Sequence, residues 1–246
     1  MKHKIKQCET GYIQTKVGII PTDWKVSTTS QCFDRITNKV EVIKTDNYTQ
    51  IGIRSHCKGI FIKEPVTGEQ LGNKRVFWIE EGCFIVNIVF AWEQAVAKTT
   101  KKENGLIASH RFPMYKTKSN VLDLDYILYF FKSKRGKHQL GLASPGGAGR
   151  NKTLGQKEFS ELKIPLPSYG EQKKIARILT TWDIAISKQQ ALIHQKQQLK
   201  KGLMQKLLSA QIRFKEFDYD WKEVRLGDVT FNLDNKRIPL NINLEV

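Results

Sequence analysis

From Ser168 to about residue 211 the chain carries one nearly unbroken helical pattern, and a domain of this size has no room to bury it whole. Pro165 and Pro167 block a helix upstream, and Ser168-Tyr169-Gly170-Glu171 then supplies a capping box, with Ser at the N-cap and Glu three residues on. Ile175, Ile178, Leu179, Trp182, Ile186, Ile193, Leu203 and Leu207 follow on helical spacing, and no Gly or Pro falls between Ile175 and Gly202. About 40 residues at roughly 1.5 Å each make a rod of about 60 Å. Its narrow apolar stripe needs a second helix over it, as in a coiled coil. Ile175, Leu179, Trp182, Ile186, Ile193, Leu203 and Leu207 are therefore the expected subunit interface. Polar breaks at Gln189, Lys196 and Lys200 suggest register control or a mixed partner surface.

A second regularity frames this helix. Asp23-Trp24-Lys25 recurs as Asp220-Trp221-Lys222, and Asn38-Lys39 as Asn235-Lys236, both at an offset of 197 residues. Trp occurs only 5 times in the chain, so agreement of both segments in one register points to a repeated unit. The expected organisation is a globular domain over residues 1–167, the long helix over 168–211, and the start of a second copy over 212–246. Within the first part, the short apolar runs Gly59–Ile62, Val76–Ile79, Phe84–Phe90 and Ala95–Ala97 read as strands, with no βαβ rhythm. Asp123 or Asp125 can cap a helix that places Leu124, Ile127, Leu128 and Phe131 on one face. The predicted fold class is α/β of the α+β kind: a mixed or antiparallel sheet with a packed helix, followed by one long coiled-coil helix.

Composition narrows the partners. With 41 Lys plus Arg against 24 Asp plus Glu, the chain carries a formal charge of +17, which points to a polyanion such as nucleic acid, the alternative being a solvated basic surface. The four cysteines, Cys8, Cys32, Cys57 and Cys83, show no CxxC or metal-ligand spacing and read as free thiols of a cytoplasmic protein. No apolar run is long enough to span a membrane. Gly146 to Thr153, G-G-A-G-R-N-K-T, is not a P-loop, because Asn151 rather than Gly precedes Lys152 and the segment follows a helix. No methyltransferase or nucleophile motif appears, and Asp23-Trp24-Lys25 and Glu161-Leu162-Lys163 match only half of a metal-nuclease signature. No catalytic residue, metal site or cofactor is assigned to the chain.

Two basic stretches flank the Gly-rich segment. Residues 98–118 hold Lys98, Lys101, Lys102, Arg111, Lys116 and Lys118 against Glu103, and residues 132–163 hold eight cations against Glu158 and Glu161. Lys and Arg neutralise phosphates, whereas base edges are read by Arg, Asn, Gln and small polar residues, so a specific binder needs both kinds together. The candidate DNA-binding residues are Arg54, Lys98, Lys101, Lys102, Ser109, Arg111, Lys116, Arg150, Asn151 and Lys152, with Asn104 also available.

These residues resemble a known family, the specificity subunits of type I restriction-modification systems. The likeness rests on Ile164-Pro165-Leu166-Pro167, on Glu171-Gln172-Lys173-Lys174-Ile175-Ala176 with Leu179 and Asp183, and on Lys200 to Leu208 followed by Arg213-Phe214, Phe217 and Trp221. Thr15 to Pro21 with Trp24 is similar to the family's opening of a target recognition domain. The resemblance implies a non-catalytic, sequence-specific DNA-recognition subunit that directs methyltransferase (M) and restriction (R) subunits to a bipartite site, with S-adenosylmethionine, ATP and magnesium held by those partners. Family members have two recognition domains separated by two antiparallel helices. This sequence stops about 26 residues past Asp220, so it looks like a half subunit, expected to work as a homodimer through its long helix. A specificity subunit of a type IIB-like system is a close variant. The rival is a basic coiled-coil nuclease or scaffold without sequence preference.

Overall fold

The computed structural model describes residues 11–146 and 152–232. The chain divides into two compact units, Met1–Ile186 and Ser187–Val246. The first opens with a hairpin, β1 (Tyr12–Thr15) and β2 (Gly18–Pro21), then β3 (Lys25–Thr28), a one-turn helix α1 (Thr29–Cys32) and β4 (Phe33–Ile36). Short strands follow: β5 (Asn47–Tyr48), β6 (Ile51–Ile53), β7 (Ile60–Ile62) and β8 (Val66–Thr67), then α2 (Gly68–Leu71), β9 (Val76–Trp78), β10 (Cys83–Val86), β11 (Val96–Lys98), β12 (Ile107–Ser109) and β13 (Met114–Thr117). Helices α3 (Leu124–Lys132), α4 (Lys134–Leu142) and α5 (Gln156–Ser160), strand β14 (Lys163–Leu166) and helix α6 (Tyr169–Leu208) complete the order, and α7 (Leu226–Val229) lies in the second unit.

The central sheet is four-stranded, β11-β10-β13-β4, and every strand ladder among the described residues is antiparallel. Strand β10 explains why its sequence is a continuous apolar run rather than an alternating one. Phe84 and Val86 enter one cluster with Phe33, Tyr115, Phe131 and Phe159, while Cys83 and Ile85 enter another with Ile51, Ile53, Ala97 and Met114. Successive side chains leave opposite faces of a strand, and here both faces are covered. Cys32 and Cys83 are buried free thiols, and Cys57 is half-buried. Burial, with the Glu80 charge adding to it, pushes the Cys83 thiol up to about 11. Cys8 lies outside the described residues.

The expected helix at 124–131 is α3, capped by Asp123, whose carboxylate accepts the Tyr126 N–H at 2.9 Å. Ile127 and Phe131 are buried and Leu124 and Leu128 pack beside them, as the pattern required. Helix α4, inside the basic stretch, is absent from the elements expected above. It forms because Gly136 lets it sit directly on the end of α3: a Cβ there would lie 2.1 Å from the Phe130 carbonyl oxygen and 2.5 Å from the Phe131 Cα. These are backbone atoms with no room to give. Gly136→Ala is therefore expected to cost about 2 kcal/mol of overpacking despite the better helix propensity of Ala, lowering Tm by roughly 5 °C in a thermal melt.

Helix α6 keeps the predicted start, but only half of the capping box forms. The Ser168 hydroxyl accepts the Glu171 N–H at 3.3 Å, whereas the Glu171 carboxylate accepts the Trp24 indole N–H at 3.2 Å instead of turning back on its own helix. The neighbouring Gln172 is fully buried and satisfied on both sides of its amide. It accepts the Asp123 N–H at 2.9 Å and donates to the Val121 and Pro167 carbonyls, both at 3.0 Å. Tyr126 adds a bond from its hydroxyl to the Pro165 carbonyl, 2.9 Å, and burial drives its pKa strongly upward. The Pro-rich strand β14, the first turn of α6 and the start of α3 are thus tied by one buried hydrogen-bond network.

Past its first turns α6 is bare. Leu179, Trp182, Ile186, Ile193 and Leu203 are 39%, 65%, 52%, 56% and 44% exposed, and Leu207 is half-buried. Ile175 is the exception among the expected interface residues, because with Ala176 it packs onto the core of the first unit. In the second unit, α7 falls 197 residues after α1 at both ends, the same offset as the repeated Asp-Trp-Lys. Its surroundings differ: in the first copy β3 pairs with β14 and Trp24 is half-buried, while Trp221 is 60% exposed. Asn235 and Lys236 lie outside the described residues. Among the described residues no helix is long and apolar enough to cross a membrane.

Candidate nucleic-acid interface

Two turns at the end of the central sheet create a hollow. Asn87 terminates β10 by folding its side chain back, Oδ1 accepting the Val89 N–H at 3.1 Å, an Asx turn that redirects the chain through Phe90. Beyond β12, the Phe112 N–H donates to the Ser109 carbonyl at 2.9 Å and closes a second turn. The Ile88 N–H then donates to the Arg111 carbonyl at 3.0 Å, stapling one turn to the other. His110 is fixed by its N–H to the Arg75 carbonyl at 3.1 Å, and Lys63 by its N–H to the Gln50 carbonyl at 2.9 Å, which brings the α2–β9 loop and the β6–β7 hairpin to the rim.

The result is a cavity of about 470 Å³ lined by Gln50, Lys63, Lys74, Asn87, Val89, Phe90, Ser109, His110, Arg111 and Phe112. No carboxylate is in the lining, and among the described residues Lys63, Lys74 and Arg111 have no ion-pair partner. A wall with three unpaired cations, two amides, a hydroxyl and two phenyl rings offers phosphate neutralisation, hydrogen bonding and stacking at once. A smaller hollow of about 280 Å³ beside Phe33, Tyr115 and Phe159 lacks this character, since its Arg35 donates to Gln156.

Of the ten expected DNA-binding residues, Ser109 and Arg111 line this cavity. Lys101 and Lys102 are exposed on a one-turn 3-10 helix, Lys101–Glu103, which Thr100 caps. Arg54 sits on the β6–β7 hairpin with its guanidinium 4.8 Å from the centre of the Phe61 ring, and Phe61 itself lies over Gly52, where a Cβ would be 2.3 Å from that ring. Lys152 reaches the cavity wall indirectly: its ammonium lies 5.6 Å from the Trp92 ring, and Trp92 donates to the Val89 carbonyl at 3.2 Å. Lys98 and Lys116 are already engaged, Lys98 with Asp125 of α3 and Lys116 with Glu80. The Lys116 ammonium holds the Glu80 carboxyl below its usual range. Arg150 and Asn151 lie outside the described residues. Gln50, Lys63, Lys74, Asn87, Phe90 and His110 join Ser109 and Arg111 in the cavity lining without having been expected as DNA-binding residues. Asn87, a polar residue inside the most apolar run of the chain, was the one signal available. Among the described residues, no group of three or more His, Cys, Asp or Glu could hold a metal ion.

Residues 21–197 match the model of the type I restriction modification DNA specificity domain. The chain belongs to this family. Among curated proteins it is 25% identical over 221 residues to the type I restriction enzyme MjaVIII specificity subunit of Methanocaldococcus jannaschii, covering 85% of this chain and 50% of that protein. A second chain of that organism, named for the MjaX type I restriction enzyme, is 25% identical over 248 residues, covering 89% of this chain and 56% of its own length. The chain thus spans about half the length of the curated relatives it matches. The fold is similar to that of the HsdS subunit from Thermoanaerobacter tengcongensis, with a TM-score of 0.58 at 17% identity over 82% of this chain and 52% of that one. A chain from a structural study of complex assembly in the type I R-M system gives 0.58 at 19% identity, over 85% and 55%.

Proposed function

We propose that this member of the specificity family is a non-catalytic DNA-recognition subunit that directs methyltransferase and restriction subunits to a bipartite site in cytoplasmic DNA. The observation that carries the reading is the carboxylate-free cavity, where Arg111 and Ser109 stand beside unpaired lysines at the end of the central sheet. Phosphates are neutralised by Lys63, Lys74, Lys101 and Lys102, while Arg111, with its neighbours Ser109 and Asn87, reads bases. Chemistry and its cofactors, S-adenosylmethionine, ATP and magnesium, belong to the partner subunits. Residues 1–167 act as the recognition domain, the helix over 168–211 as the spacer, and residues from 212 onward as the opening of a second copy, a division that the shared offset of α1 and α7 supports. The bare stripe of α6 is covered by the α6 of a second copy running antiparallel, so that two recognition domains address two half-sites of a palindromic, interrupted target.

Removing charge at the two kinds of position is the test. The double variant Lys101→Ala, Lys102→Ala is expected to weaken binding to all duplexes alike and to reduce the slope of log K against log salt by about 2, since each lost phosphate contact removes about one released counterion. Arg111→Ala is expected to lose about 1–3 kcal/mol of discrimination between target and random duplex with little change of slope. If both variants bind target and random DNA as the parent does, in fluorescence anisotropy across a salt series, the interface lies elsewhere.

A further inference from the structure

The cavity is concave, and that shape sets a condition on its ligand. A stacked base pair shows only its edges, at the floor of a groove, and is read by something convex, a helix or a two-stranded ribbon. A half-open hollow walled by turns leaves more room than such an edge fills. Its volume of about 470 Å³ lies within the roughly 300–1,000 Å³ of pockets that enclose a whole small molecule. Asn87 gives the second observation. It is only 8% exposed, its Oδ1 is consumed by the Val89 N–H, and its Nδ2 donates to no described residue although it lines the cavity. That amide N–H is accessible from the cavity, and with Oδ1 held by the Val89 N–H it offers a ligand acceptor a hydrogen bond of fixed direction. Facing it are the ring of Phe90, 39% exposed, and the half-buried Phe112, with Lys63 and Lys74 at the rim.

We infer that the cavity receives one nucleotide turned out of the DNA duplex, its base stacked on Phe90 and hydrogen-bonded by Asn87 Nδ2, its phosphate held by Lys63 and Lys74. The inference rests on the DNA-recognition reading and adds to it the manner of recognition. Turning a base out costs a few kcal/mol of pairing and stacking, and that cost falls when the base is mismatched. A mismatch at the turned-out position therefore raises affinity, whereas a mismatch at a position read in the groove lowers it.

The experiment uses the full chain and a duplex enriched from a random pool by that chain. Each base pair of the enriched site is replaced in turn by a mismatch that keeps the strand under test, and Kd is measured. The expected result is a gain of about tenfold or more at one position and losses at the others. Phe90→Ala and Lys63→Ala, both exposed positions whose variants are checked for an unchanged melting temperature, should each reduce that gain to about twofold or less. Site-selective binding in which every mismatch is neutral or weakening overturns the inference and leaves the recognition reading intact. A gain that persists undiminished in both variants places the turned-out nucleotide outside this cavity and also overturns it. No site-selective enrichment at all removes the recognition reading, and the inference with it.

Discussion

Gln172→Leu is expected to destabilise the first unit by about 3–6 kcal/mol, a drop in Tm of roughly 10–20 °C. The side chain is fully buried at the junction of α3, β14 and α6, and it serves three backbone groups: the Asp123 N–H, the Val121 carbonyl and the Pro167 carbonyl. Leucine has similar bulk, so no large cavity opens. What is lost is the side-chain partner of three backbone groups, the Pro167 carbonyl bond buried and the other two partly so, at about 1–2 kcal/mol each. A total of that size is a large share of the 5–15 kcal/mol by which ordinary domains are stable. Glu171→Ala supplies the internal comparison: it removes one hydrogen bond, to a half-buried Trp24, and is expected to lose only about 1 kcal/mol. Equal effects of the two substitutions in denaturant titrations would show that Gln172 is not the keystone of the junction.

The second large effect concerns assembly. The double variant Ile186→Asp, Ile193→Asp is expected to fold, because both side chains are more than half exposed on α6 in the single chain, yet to be monomeric where the parent is dimeric, its Tm lowered only by the stability that dimerisation gives the parent. Each carboxylate would have to be desolvated in the seam at a cost of several kcal/mol, and an antiparallel pair of helices carries four of them, so the dimer Kd should rise by more than a thousandfold. Monomers keep one recognition domain each and should bind a half-site while losing the full site. Sedimentation equilibrium decides: a parent that is monomeric at micromolar concentration, or a variant that still dimerises, contradicts the proposed pairing of α6 with α6.

How far the sequence was legible depends on the distance over which each feature is determined. The runs expected at 59–62, 76–79 and 95–97 form strands within a residue of those bounds because short apolar segments between turn residues bury themselves by pairing, the run expected over 84–90 ends as a strand at Val86 where Asn87 turns the chain, and α3 and α6 begin where Asp123 and Ser168 can cap them. Helix α4 was invisible because its glycines and lysines make a poor helical pattern, and its existence depends on a close approach to the α3 backbone. Glu171 was read as a local cap because the spacing fits, while its partner Trp24 lies 147 residues away. In the site, Arg111 and Ser109 stood out as a basic and a polar residue in a charged stretch. Lys98 and Lys116 stood out for the same reason, but Asp125 and Glu80, acids outside that stretch or across the sheet, neutralise them. Gln50 and Lys63 flank the β6–β7 hairpin, Lys74 comes from the α2–β9 loop and Asn87 from the end of β10, and backbone bonds at Lys63, His110 and Ile88 bring them together.

The central claim is that this chain chooses a DNA sequence without acting on it. The most direct measurement is repeated selection from a pool of random duplexes by the purified chain, alone and assembled with a methyltransferase subunit, followed by sequencing of the bound DNA. The account predicts enrichment of one interrupted motif by the chain, no cleavage of the selected DNA by the chain alone with magnesium, and methylation within the same motif once the methyltransferase is present. Binding that stays uniform over all sequences after several rounds, or magnesium-dependent cleavage by the chain alone, would contradict it.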